Sequence, residues 1–203
     1  MGQTAAMSWG VLTSTPDETI FEIGSTWEIA ATRDEVFAIV GDPLLLPTWW
    51  GAVFLKVALL GDVTEAREGC LLRLYTKGWF PWTFEFDARV TAADGASFMT
   101  LETTGDFRGS SRIELQDHGG VQHLSILWQV AVRQPWLRPF LRALKPVFVL
   151  NHRWAMRKGR QGLQAAVDLR RKGQPLQEPL QRPSFPHNLP GLRQRHRFRR
   201  VGR

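Results

Sequence analysis

One long helical stretch, placed late, constrains this chain more than any other feature. Residues 135–172 carry apolar groups at helical spacing, and they follow a run of segments that read as strand after strand. A sheet with one apolar face must bury it, and this helix is the element available to cover it. What the two surfaces enclose between them then decides what the protein can do. At the centre of the helix stands Asn151-His152-Arg153-Trp154-Ala155-Met156-Arg157-Lys158-Gly159, a mixture of polar and aromatic groups.

The strands are legible one by one. From Ile20 to Ala30, Phe21, Ile23, Trp27 and Ile29 alternate with Glu22, Thr26 and Glu28, the pattern of a strand with one buried face. Thr32 and Glu35 make a capping box for a short helix that Gly41 ends. Asp42 and Pro43 open a second short helix running Leu44 to Trp50. Strands follow at Val53–Leu60, Cys70–Lys77, Trp82–Val90, Ser97–Thr104, Ser110–Gln116 and Val121–Val132. The turns Gly78-Trp79-Phe80-Pro81, Asp94-Gly95 and His118-Gly119-Gly120 join them as an antiparallel meander. In the long helix, Leu137, Phe140, Leu141, Leu144 and Phe148 form one stripe, and His152, Ala155, Gly159, Leu163 and Ala166 continue it. Pro146 predicts a kink, and Gly173 ends the helix.

Length and charge divide the chain into three parts. With 203 residues it suits one domain with appendages. Residues 1–18 are polar and aperiodic and read as a flexible arm; 19–172 form the domain; 173–203, with five prolines and few apolar groups, read as a disordered basic tail. Residues 170–203 hold ten Lys/Arg against Glu178 alone, whereas 1–169 hold sixteen Lys/Arg against eighteen acids. The positive charge therefore belongs to the tail, which argues against a nucleic-acid-binding face on the domain and allows a weak tail contact with anionic membrane. Cys70 stands alone, so neither an internal disulfide nor a cysteine metal cluster is available. No signal peptide or membrane-spanning run is visible, which sets a cytoplasmic location as the expectation.

The order strand, two short helices, six-stranded meander and long helix resembles the START-like, or SRPBCC, superfamily. Glu28-Ile29-Ala30-Ala31-Thr32-Arg33-Asp34-Glu35-Val36-Phe37 is similar to the opening of that superfamily, and Leu46-Pro47-Thr48-Trp49-Trp50 to the segment that follows it. Gly78-Trp79-Phe80-Pro81-Trp82, Gly105-Asp106-Phe107-Arg108-Gly109 and Asn151-His152-Arg153-Trp154-Ala155-Met156 resemble a bacterial subgroup described as polyketide cyclase/dehydrase-like. The resemblance implies an α+β helix-grip fold: a curved seven-stranded antiparallel sheet wrapped on the long C-terminal helix, with two short helices after the first strand. It also implies a deep apolar cavity between sheet and helix.

Nine Trp and twelve Phe beside one Tyr suit such a cavity, although rings also fill ordinary cores. Trp49, Trp50, Trp79 and Trp82 fall where this fold has its cavity mouth. Phe84, Phe86 and Trp128 lie on the apolar phases of their strands, and Phe148, Asn151, His152 and Met156 lie on or beside the inward helix face. His152 is the one candidate general base, and its competing reading is a buried histidine bonded to a neighbour. Arg108 and Asp106 sit in a glycine-bounded loop and could fix a polar head group, or pair at the surface. Arg73 is out of phase with Leu72 and Leu74 and reads as outward; inward, it would be a cavity cation. A second histidine at ligand spacing, a serine elbow, a phosphate loop and a dinucleotide fingerprint are all missing from the sequence, so neither metal nor cofactor is expected.

Three functions fit. The first is binding, with or without transport, of a hydrophobic small molecule such as a lipid, isoprenoid or polyketide. The second is a cyclase or dehydratase working in the same cavity, with His152 moving a proton. The third is an interaction module whose tail docks on membrane or nucleic acid.

Overall fold

The structure, a computed structural model, describes residues 7–14, 19–61, 67–95, 97–132, 145–189 and 198. The strands are β1 Met7–Ser14, β2 Thr19–Ile29, β3 Phe54–Leu60, β4 Leu71–Lys77, β5 Thr83–Asp94, β6 Phe98–Gly105, β7 Phe107–Asp117 and β8 Gln122–Val132. The helices are α1 Arg33–Val40, α2 Leu46–Trp49 and α3 Lys145–Arg171, with a 3-10 turn at Pro43–Leu45 leading into α2. The strands make one antiparallel sheet in the order β1-β2-β8-β7-β6-β5-β4-β3. The expected seven strands are β2–β8, curved about α3 as the helix-grip arrangement requires.

Three features depart from expectation. The arm 1–18 contains β1, which pairs with β2 from Met7↔Ser25 to Ser14↔Thr19. An edge strand is held by main-chain bonds along one side, so it does not need the apolar alternation that reveals an inner strand. The second short helix divides into a 3-10 turn and α2. Asp42 caps the turn by accepting the Leu44 N–H at 2.9 Å, while Pro47 lacks an N–H to continue a regular ladder. The described part of α3 begins at Lys145; residues 133–144, where the first part of the helix before Pro146 is expected, lie outside the described residues.

The third departure is the tail. Residues 174–189 lack helix and strand, in keeping with their composition, yet they cross the body as an ordered strap rather than a disordered end. Leu176 and Leu180 pack against the main core, and Pro183 is buried. The Leu180 N–H donates to the Thr48 carbonyl of α2 at 2.9 Å, and Gln181 Nε2 donates to the Lys158 carbonyl of α3 at 2.8 Å. Ser184 Oγ donates to the carbonyls of Gly78 and Trp79 at 3.1 and 2.8 Å. Three well-spaced apolar contacts and these hydrogen bonds hold a segment whose average polarity predicts disorder. Apart from Phe198, the rest of the basic tail lies outside the described residues.

The capping box at α1 forms as read. Glu35 N–H donates to Thr32 Oγ1 at 3.3 Å, and Thr32 N–H donates to Glu35 Oε2 at 2.8 Å. Arg171, in the last turn of α3, grips the same carboxylate with two bonds of 2.6 and 2.8 Å. Hydrogen bonding from Arg171 and Thr32 pulls the Glu35 carboxyl down to about 2. One carboxylate thus caps α1 and pins the far end of α3.

The main core joins Trp27, Ile29, Val36, Ile39, Trp49 and Trp50 to Leu163, Ala166 and Val167 of α3. A second cluster on the sheet holds Leu72, Leu74, Phe86, Ala88 and Val90. The space between these two clusters is where the site lies.

Candidate functional site

Glycines bring α3 close to the indoles of β2 and α2. A Cβ on Gly159 would press into the Trp27 ring and stand 2.6 Å from the Trp50 ring. The Trp50 indole N–H donates to the Ala155 carbonyl at 3.0 Å, and the Trp50 ring packs edge-on to Trp27 with centroids 5.0 Å apart. One end of α3 is therefore seated tightly on aromatic rings. Beside this seat a cavity of about 290 Å³ opens between the sheet and the Phe148–Met156 part of α3.

Strand alternation builds the wall. Leu72, Leu74, Phe84, Phe86, Phe107 and Trp128 all point inward, and Phe107 gathers the group. Its ring centroid lies 4.6 Å from that of Phe84 and 5.3 Å from those of Phe86 and Trp128. Phe107 is the main site residue the sequence reading missed. The glycine spacing predicts a loop from Asp106 to Arg108, but the connection is Asp106 alone, so Phe107 already belongs to β7 and to its inward phase. Asp106 secures this tight reversal by accepting the Glu85 N–H at 2.8 Å.

Of the residues singled out from sequence, Trp49, Trp50, Trp82, Phe84, Phe86, Trp128, Phe148, Asn151, His152 and Met156 line the cavity. Trp79, Arg73 and Arg108 do not. Trp79 is 58 % exposed, at a turn whose direction is set by Asn151 Oδ1 accepting the Trp79 N–H at 2.6 Å. Arg73 lies on the outer face of β4 and grips Asp87 with bonds of 2.7 and 2.8 Å, so its charge is already matched outside the cavity. Arg108 is exposed on β7, on the phase opposite to Phe107.

The polar end of the cavity is His152. Its Nε2 lies 3.3 Å from Ser25 Oγ, and burial depresses the imidazole to about 4, which leaves it neutral at pH 7. Ser25 is the partner the sequence did not yield. It occupies the inward phase of β2 between Ile23 and Trp27, and a small polar residue in that apolar series is the sign that could have found it. Among the described residues the other polar side chains at the wall include Asn151, Thr76, Thr103, Ser97 and Ser111, all uncharged. Lys77 also borders the cavity, but its ammonium donates to the Ser184 and Phe185 carbonyls of the strap at 2.8 and 2.9 Å. Burial there lowers its pKa to about 8. Among the described residues no aspartate or glutamate lines the cavity, and no three His, Cys, Asp or Glu side chains gather as a metal-binding group. No described helix is long and apolar enough to cross a membrane.

No family model matches this sequence, and no curated protein matches it. Solved structures do match in fold. The Zhui aromatase/cyclase of Streptomyces sp. R1128 aligns with TM-score 0.60 at 13 % identity, over 73 % of this chain and 95 % of that one. A protein of Thermus thermophilus aligns with TM-score 0.58 at 15 % identity, over 73 % and 98 %. Truncated norcoclaurine synthase from Thalictrum flavum aligns with TM-score 0.53 at 15 % identity, over 76 % and 98 %. At these identities the likeness concerns architecture, and a shared architecture does not carry a shared reaction. On that ground the chain has a helix-grip fold, the architecture it shares with these three structures.

Proposed function

We propose that this chain binds a hydrophobic small molecule in the cavity between sheet and α3, and that binding rather than catalysis is its role. The observation that carries the reading is the cavity itself: about 290 Å³ of space left open although the rings at its wall, Trp27, Trp49 and Trp50, pack closely against one another. Natural interiors close such spaces, because lining atoms without neighbours lose dispersion contacts. An apolar space with a few placed polar groups is the form of a small-molecule site. Transfer of a proton between two positioned groups needs a second titratable side chain, and among the described residues no aspartate or glutamate lines the cavity with His152.

The test uses the uncharged fluorescent probe N-phenyl-1-naphthylamine. Its emission is expected to rise saturably with one probe per chain. Replacing Ala88, a small wall residue, by Trp should fill space and weaken binding about tenfold or more, with circular dichroism unchanged. Absence of saturable binding to the wild-type chain would sink the proposal. Native mass spectrometry of the freshly purified chain would identify any ligand carried along.

A second reading keeps the cavity and adds chemistry. The His152–Ser25 pair at its wall, and the cyclase and synthase among the fold neighbours, favour a cyclase-type reaction. A His152→Gln variant that retains probe binding but loses turnover of a reactive polyketide chain would establish that reading over simple binding.

A further inference from the structure

The same alternation that builds the cavity sorts charge to its outside. On β4 the inward positions are Leu72, Leu74 and Thr76, while Arg73 pairs outward with Asp87. On β5 Phe84, Phe86 and Ala88 face in, between Glu85, Asp87 and Arg89. On β7 Phe107, Ser111, Ile113 and Leu115 face in, while Arg108 and Arg112 occupy the other phase. Arg73 and Arg108, the two arginines that the sequence offers as head-group partners, are thus both outside the cavity. The ammonium of Lys77, the cation among the described lining residues, is engaged by two strap carbonyls. Among the described residues, what remains at the wall for a ligand is a set of neutral hydrogen-bonding groups: the His152 imidazole, Asn151, Thr103 and Ser111.

We propose that the cavity selects an uncharged ligand, chiefly apolar, whose polar function is a hydroxyl, ether or carbonyl, and that it discriminates against carboxylates and amines of the same shape. This rests on the binding role proposed above and narrows it to a ligand class. The physical reason is desolvation. An ion moved into this space gives up water without gaining a free counter-charge from the described wall, whereas a hydroxyl or carbonyl needs only one hydrogen bond, which several wall groups can supply. Apolar contact with the rings is the same for every member of a chain-matched series, so the head group alone sets the preference.

Calorimetric titration of the full chain at neutral pH with decan-1-ol, methyl decanoate, decanoate and decylammonium tests this directly. The alcohol and the ester are expected to bind, and both ions to bind about tenfold more weakly or worse. The ester matters because it keeps the shape of decanoate and removes the charge. Equal or tighter binding of decanoate or decylammonium would overturn the charge selection while leaving cavity binding intact. Failure of all four probes, together with failure of N-phenyl-1-naphthylamine, would instead remove the binding role and this inference with it.

Discussion

Gly162 of α3 sits so close to the main chain of α2 that a Cβ built on it would overlap the Trp49 carbonyl oxygen. Alanine is the better helix former by about 1 kcal/mol, so local propensity alone says that Gly162→Ala should stabilise the protein. The contact reverses the sign. The neighbouring atom is backbone and cannot swing aside, so the helix itself must move. Overpacking of this kind costs about 1–3 kcal/mol or more. Gly162→Ala is expected to lower the melting temperature by several degrees, at about 2–4 °C per kcal/mol for a protein of this size. Gly159→Ala should do the same through Trp27 and Trp50, with a smaller loss because rings can shift. Thermal denaturation of both variants checks this, and a raised melting temperature in either would contradict the packing.

His152 predicts how stability depends on acidity. The unfolded chain takes up a proton at this residue near 6.5, but the folded chain only near 4, because burial opposes the charge. Between those values the unfolded state holds more proton, so stability falls as pH falls through the window and is fully present above it. The shift corresponds to something on the order of 3 kcal/mol. Urea denaturation at a series of pH values should show this decline, and His152→Gln should flatten it.

Lys77 ties β4 to the strap. In Lys77→Met the Ser184 and Phe185 carbonyls lose their donor, at a cost of about 1–3 kcal/mol if they stay buried. The strap is expected to loosen before the sheet does. Hydrogen exchange read at the Leu180 amide, which donates to Thr48, should accelerate, while exchange at β8 amides stays slow. Unchanged protection at Leu180 would show that the other contacts hold the strap without Lys77.

The shared carboxylate of Glu35 gives a further test. Thr32→Ala removes one half of the capping box and should cost about 1 kcal/mol. Glu35→Gln should cost more than the cap alone, because the paired bonds from Arg171 weaken with it. A double-mutant cycle with Arg171→Met separates the two contributions, and additive losses would mean that cap and ion pair act independently.

Much of the fold was legible because its signs are local. The Thr32–Glu35 box, the alternation of β5 and β8 and the Gly173 stop each rest on a few neighbouring residues. The inward aromatic wall follows from phase alone, which is why Phe84, Phe86 and Trp128 were found. What escaped depends on contacts between distant segments. Ser25 and His152 are 127 positions apart, and only the folded chain brings them together. Phe107 escaped because the reversal at Asp106 is shorter than a turn read from glycines suggests. Trp79 was misplaced because a turn residue can point either way, and its direction is settled by Asn151 on another element. The strap escaped because its composition reports average polarity, whereas Leu176, Leu180 and Pro183 act as separate anchors.

The strap has a consequence for where the folding unit ends. Composition suggests a boundary at Gly173, and a shortened chain stopping there would look like a complete domain. Yet Leu176 and Leu180 cover the main core, and Ser184 closes on the turn that borders the cavity. Cutting at 173 would bare an apolar trough beside α2 and leave the Lys77 ammonium facing it without its carbonyl partners. Extension of the chain should therefore be placed beyond Leu189, where added sequence leaves every strap contact in place.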